Sequence, residues 1–165
     1  MRAACGQLGV RAPDLIRTER GAPVMPQGLI GSVSHKRGLA VAMVARDDQG
    51  TLGIDLEDYE PERLGIASKV LTPGEQEAVA ALPPENRWMG VLIRFSIKES
   101  IYKAVDPYVG RYVGFSEAVV NPELQGIAKA ELRLANGEGP FKINARYTWL
   151  GGRLLTSVRL YPCSP

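Results

Sequence analysis

Gly31-Ser32-Val33-Ser34-His35, Gly53-Ile54-Asp55-Leu56-Glu57 and Phe95-Ser96-Ile97-Lys98-Glu99-Ser100-Ile101-Tyr102-Lys103 are the segments of this chain whose residue types could do chemistry. Asp55 and Glu57, two apart on a strand, project from one face while Ile54 and Leu56 face a core. Oxygen donors so clustered suit Mg²⁺ or Mn²⁺, with water and phosphate oxygens completing the shell. Glu99 and Lys103 lie at i and i+4 on a helix, where a carboxylate can be a third ligand or a base and an ammonium can neutralise phosphate. In the first segment, small residues admit a backbone close to a ligand, and the Ser34 hydroxyl and His35 ring can donate to phosphate. Each segment also has a plain structural reading: a solvated strand end, a surface ion pair, a serine-rich turn. Together they describe a metal-dependent phosphate-handling site.

Positioning these groups requires a mixed fold. A short helix is expected over 2–8, followed by an ordered loop over 17–31, punctuated by Gly21, Pro23, Pro26 and Gly28, that enters the first motif and lines some part of the fold. An apolar strand over 39–45, a turn at Asp47-Asp48-Gln49-Gly50 and a strand over 51–57 read as a hairpin that carries Asp55 and Glu57. Thr72-Pro73-Gly74-Glu75 has a capping-box pattern and starts a helix reaching about Leu82. Pro83-Pro84 breaks it, and apolar residues at helical spacing from Leu92 to Val105 predict the longest helix over 86–105, ending before Asp106-Pro107. Its polar stripe is Lys98, Glu99, Tyr102 and Lys103. Stretches at 111–120, 128–135, 141–149 and 153–161 read as antiparallel strands. The expected class is α+β.

A chain of 165 residues with 45% apolar content can bury one core, as one domain or as two small halves packed together. A formal charge of +2, with no long basic run, gives no case for nucleic acid or a membrane surface. Two cysteines near opposite ends and a single His argue against a zinc or disulfide framework, so the cytoplasm is the default compartment. No stretch approaches the roughly 20 apolar residues of a membrane span. Ser34 adjoins His35 and no Gly-x-Ser-x-Gly elbow is present, which disfavours a serine hydrolase; Walker A and Rossmann glycine patterns are also absent.

The order GSVSH, GIDLE, FSIKESIYKAV, flanked by Gly21-Ala22-Pro23 and Gly110-Arg111-Tyr112-Val113-Gly114-Phe115, resembles the 4′-phosphopantetheinyl transferases of the surfactin and enterobactin-synthase type. The resemblance implies a pseudo-dimer of two similar halves, each a small antiparallel sheet packed against a helix, approximately 1–60 and 61–165 of one domain. It implies Mg²⁺-dependent transfer of phosphopantetheine from coenzyme A to a serine of an apo acyl, peptidyl or aryl carrier protein, releasing adenosine 3′,5′-bisphosphate. Asp55, Glu57 and Glu99 match the metal-site acids; Ser34, His35 and Lys103 match pyrophosphate contacts. Glu99, Lys103 and His35 are then the catalytic residues, with Arg2 and Arg20, and also Arg17, as basic contacts for the coenzyme. The carrier is expected to dock near 64–72. Ala22 stands where some relatives carry Lys, and Met25 where a Trp often precedes Pro26. Relatives also extend several dozen residues upstream, so the first half is expected to be shortened and the chain to be a monomer or a domain of a larger synthase. A catalytically inactive coenzyme A or carrier-binding domain and a Mg²⁺-dependent nucleotide pyrophosphatase are the alternative readings.

Overall fold

The computed structural model describes residues 1–12, 14 and 16–163. After helix α1 (Arg2–Gln7), strands β1 (Leu29–Lys36) and β2 (Leu39–Arg46) pair antiparallel. Their two-residue loop, Arg37-Gly38, has both φ angles positive, at 40° and 79°, as a tight hairpin turn of matching twist requires. Strand β3 (Thr51–Asp58) then leaves this hairpin and pairs antiparallel with β7 (Arg153–Pro162), Asp55 opposite Thr156.

The expected pairing of 39–45 with 51–57 is therefore corrected: β2 belongs to β1, and β3 opens a five-stranded sheet of order β3-β7-β6-β5-β4. Gly50 is the physical reason. At φ 76° and ψ −153° it swings the chain out of the hairpin, and a Cβ there would lie 2.3 Å from the Leu160 carbonyl oxygen of β7. The sheet boundary thus falls between Arg46 and Thr51. The remaining strands are β4 (Ala118–Pro122), β5 (Ile127–Leu132) and β6 (Phe141–Leu150), all antiparallel to their neighbours. In the 111–120 stretch, the strand begins only at Ala118, after a single 3₁₀ turn.

Between β2 and the sheet's long helix come the short α2 (Ala67–Val70) and α3 (Pro73–Ala80). Thr72 and Glu75 form the expected capping box at the start of α3. Helix α4 (Pro84–Val109) starts with Pro84 in the first turn and runs beyond the expected stop at Asp106-Pro107. Pro107 forfeits one backbone donor near the end of the helix, a loss small enough for Gly110, left-handed at φ 60°, to close the helix by donating to Asp106 O.

Helix α4 lies on one face of the sheet, where Val91, Leu92, Ile97, Ala104 and Val105 meet Leu154, Val158 and Leu160, all fully buried. Gly53 lets the helix approach closely, since a Cβ there would sit 2.0 Å from Ser100 O. The α+β class and its antiparallel sheets agree with the sequence reading. No helix among the described residues is long and apolar enough to cross a membrane.

Candidate active site

The two sheets meet through serine hydroxyls. Ser32 Oγ accepts Ile54 N at 3.1 Å and Ser34 Oγ accepts Leu56 N at 3.2 Å, so alternate residues of β1 satisfy the exposed edge of β3. Ser34 also donates to Asp55 Oδ1 at 3.1 Å. Its hydroxyl proton is spent on this joint, so Ser34 serves first to hold an acid in place.

Asp55 and Glu57 share one face of β3, the face turned to α4, and both are buried. A buried carboxylate requires partners. Asp55 Oδ1 receives Lys103 Nζ at 3.0 Å, and Oδ2 receives Ser96 Oγ at 2.9 Å. Ser96 is backed by Thr156, which also meets Ser100 Oγ at 2.7 Å, so a buried hydroxyl chain orients the acid. Lys103 is itself fixed by donating to Ile54 O at 2.8 Å. Glu57 receives Lys36 Nζ at 2.8 Å on Oε1 and Arg63 at 3.3 Å on Oε2.

Glu99 is half-buried on α4. Burial pushes its carboxyl above the ordinary range, the Asp55 and Glu57 charges push it further, and Lys103 and Lys36 oppose them. It therefore holds its proton more readily than an exposed glutamate and is the stronger base of the two when ionised. Glu99 and Tyr102 also form a partition between two cavities. The first, about 180 Å³, is lined by Arg20 to Pro23, Gly31 to Val33, Lys103 and Asp106. The second, about 170 Å³, is lined by Ile101, Tyr112, Val113, Gly114 and Phe115. Arg20 to Pro23 and Gly31 place the loop over 17–31 on the wall of the first cavity. A larger open groove of about 730 Å³ lies on the opposite sheet face and touches none of Asp55, Glu57 and Glu99.

The other sequence candidates are dispersed. His35 is exposed and shares a face of β1 with Gly31 and Val33 of the first cavity, without lining it. Arg20 lines the cavity and is paired with Asp106 and Tyr102. Arg2 is ion-paired with Asp14 on an exposed surface, and Arg17 contributes a backbone bridge to Pro23. Lys98 does not belong to the polar stripe. Its ammonium is buried, donating to Glu75 Oε2 at 2.7 Å, Val70 O at 2.9 Å and Phe115 O at 2.9 Å. Burial lowers its pKa while Glu75 opposes that shift. Sequence reasoning missed Lys36, Arg63, Ser96 and Asp106. Alternation would have placed Lys36 on the Ser34 side of β1, and Ser96 and Ser100 are polar intrusions at i, i+4 in an otherwise apolar face.

Among the described residues, no group of three or more Asp, Glu, His or Cys is close enough to form a ready-made metal centre. The donor chemistry nevertheless fits a hard cation. Asp55, Glu57 and Glu99 supply only carboxylate oxygens, the first two act in charge on the third, and a cation bound there would take the place of the Lys103 and Lys36 ammonium groups.

Known proteins bear on this arrangement. The sequence pattern of the 4′-phosphopantetheinyl transferase superfamily matches residues 51–156, and that of the 4′-phosphopantetheinyl transferase N-terminal domain matches residues 1–45. The chain is 41% identical over 128 residues to 4′-phosphopantetheinyl transferase Svp of Streptomyces mobaraensis, covering 74% of this chain and 51% of that protein. It is 32% identical to 4′-phosphopantetheinyl transferase PptT of Mycobacterium tuberculosis over 74% of this chain and 54% of that one. The chain thus spans about half the length of the curated relatives it matches. Among solved structures, the holo-(acyl-carrier-protein) synthase of Bacillus anthracis, in complex with CoA (3′,5′-ADP), superimposes with TM-score 0.54 at 20% identity, over 66% of this chain and 93% of that one. The holo-ACP-synthase of Plasmodium yoelii gives 0.54 at 17% identity, over 68% and 94%. Those likenesses speak to the fold, and the sequence match over most of the chain speaks to descent: this protein belongs to the 4′-phosphopantetheinyl transferase superfamily.

Proposed function

We propose that the protein transfers the 4′-phosphopantetheine arm of coenzyme A to a serine hydroxyl of an apo acyl- or peptidyl-carrier protein and releases adenosine 3′,5′-bisphosphate. The observation that carries this reading is Glu99 on the partition between two cavities, facing Asp55 and Lys103, in a chain of this superfamily. The first cavity offers Arg20 and Lys103 to the charged nucleotide and pyrophosphate. The second, walled by Ile101, Val113, Phe115 and two tyrosines, suits the uncharged pantetheine arm. His35, exposed beyond Val33 on the same face of β1, is placed for a phosphate that extends out of the first cavity.

In the reaction, the carrier serine oxygen bonds to the β-phosphorus of coenzyme A. The bond from that phosphorus to the bridging oxygen breaks, and the bisphosphate leaves with its electron pair. Glu99 accepts the serine proton. Lys103 stabilises negative charge on the phosphoryl oxygens, its position set by Ile54 O and Asp55. Asp55, Glu57 and Glu99 are the residues that would hold Mg²⁺ or Mn²⁺, which when bound neutralises pyrophosphate charge. Leu64, 43% exposed at the start of the 64–72 segment, is a contact point for the carrier.

The test is an intact-mass assay with Mg²⁺, coenzyme A and a panel of apo carriers from fatty-acid, polyketide and peptide systems. The expected result is a phosphopantetheine mass addition on at least one carrier, absent with Asp55→Ala. No addition on any carrier would overturn the reading. Tight coenzyme binding without transfer would leave a binding module, and carrier-independent release of bisphosphate by water would identify a pyrophosphatase.

A further inference from the structure

Glu99, Tyr102, Lys103 and Asp106 fall at i, i+3, i+4 and i+7, so one stripe of α4 carries the partition, the lysine and a second acid that the reaction above does not use. Asp106 Oδ1 accepts Arg20 Nε at 2.8 Å and also Arg20 Nη2, which reaches Tyr102 Oη at 3.2 Å. All three residues line the first cavity. The loop that bears Arg20 is closed on itself: Arg17 bridges Pro23, Thr18 N donates to Ala22 O at 2.8 Å, and Val24 N donates to Ile16 O at 2.9 Å. Among the described residues, the side-chain hydrogen bonds joining this loop to α4 come from Arg20.

The Arg20 side chain is 38% exposed, and an ion pair so accessible to water stabilises a fold very little. Its effect is on orientation. The guanidinium is held through Nε and Nη2, and among the described residues Nη1 has no hydrogen-bond partner. A fork held in place loses less freedom when it takes an anionic oxygen than a freely rotating side chain would.

We propose that Asp106 is a positioning residue: with Tyr102 it holds Arg20 at the rim of the first cavity so that the uncommitted N–H groups take an anionic oxygen of the coenzyme. The proposal rests on the coenzyme A reading and names the device that orients the charged end of that substrate. The anionic oxygen belongs either to the pyrophosphate or to the ribose 3′-phosphate.

Calorimetric titration of the full chain with coenzyme A and with 3′-dephospho-coenzyme A tests it, alongside carrier turnover. Asp106→Asn is expected to weaken coenzyme A binding about five- to tenfold, the worth of one charge-assisted contact. With saturating coenzyme, kcat and the melting temperature stay near wild type, and Asp106→Glu recovers part of the affinity. Arg20→Lys binds as weakly as Arg20→Ala, because an ammonium cannot hold Asp106 and the ligand through two edges at once. Asp106→Asn added to Arg20→Ala weakens binding no further. An Asp106→Asn effect that disappears with the dephospho compound assigns the oxygen to the 3′-phosphate, and one that persists assigns it to the pyrophosphate. Unchanged or tighter binding by Asp106→Asn, or additivity with Arg20→Ala, overturns the proposal while leaving the transfer reaction standing. A wild-type chain that does not bind coenzyme A overturns both.

Discussion

The two loops that enclose the partition are held by arginines of opposite character. On the side of the first cavity, the tip around Gly21 is tied to α4 by the exposed Arg20–Asp106 pair. On the other, Arg111 donates to Glu138 Oε1 at 2.7 Å and to Glu117 Oε2 at 2.8 Å, while Glu117 also accepts Gly114 N and Ala135 N. The buried Lys98 adds a bond to Phe115 O. One wall is therefore fixed by folding, through an arginine shared by two carboxylates and a buried lysine, and the other by one more exposed arginine, bonded to Asp106 and Tyr102, for which solvent and ligand can compete. A shape set in advance suits an arm recognised by apolar fit, whereas an adjustable rim suits an anion recognised by charge.

Removing the deepest anchor of the fixed wall should have the largest effect. Lys98→Met leaves Glu75 buried without its cation, and urea unfolding should show a loss of about 3–5 kcal/mol. A loss below about 1 kcal/mol would mean that the wall stands without the pair. Next comes the element common to both cavities: Glu99→Gln should lower kcat in the carrier assay by about 10²–10⁴-fold with coenzyme affinity retained. Equal loss of affinity would make Glu99 a binding group.

A smaller effect separates the walls by pH. Arg111 holds the Glu117 and Glu138 carboxyls down at about 2, against an ordinary value near 4.5. A depressed folded-state value contributes stability that is fully present above the unfolded value and is lost as pH falls through the folded one. Acid unfolding of the wild type should therefore steepen between about pH 4.5 and pH 2, and Arg111→Ala should flatten that window. Arg20→Ala should leave it unchanged. The smallest effect is a gain: Ala22→Lys adds a cation to the adjustable rim and should tighten coenzyme A binding about two- to fivefold at low salt, less at high salt.

The site residues were legible in the sequence to the extent that local geometry governs them. Asp55 and Glu57 share a face because strands alternate, and Glu99 aligns with Lys103 because helices repeat. The polar stripe errs at Lys98 for the same reason: helical spacing stacks it with Tyr102, four residues on, and only packing of α3 and β4 against α4 makes a buried partner of Glu75. Ser34 shows the converse, a phosphate-donor type whose hydroxyl is taken up by the edge of β3.

By itself the sequence determined the α+β class, the capping box at Thr72, the long central helix, and the three segments whose order marks the superfamily. These follow from periodicity, capping chemistry and residue identity, all of which act over a few neighbouring positions. Only the tertiary structure decided that β3 leaves its sequence neighbour for β7, about a hundred residues on, that a hydroxyl chain from Ser96 to Thr156 orients Asp55, and that Asp106 meets Arg20. Those choices depend on which surfaces of a folded chain come into contact, and nothing in the spacing of nearby residues encodes that.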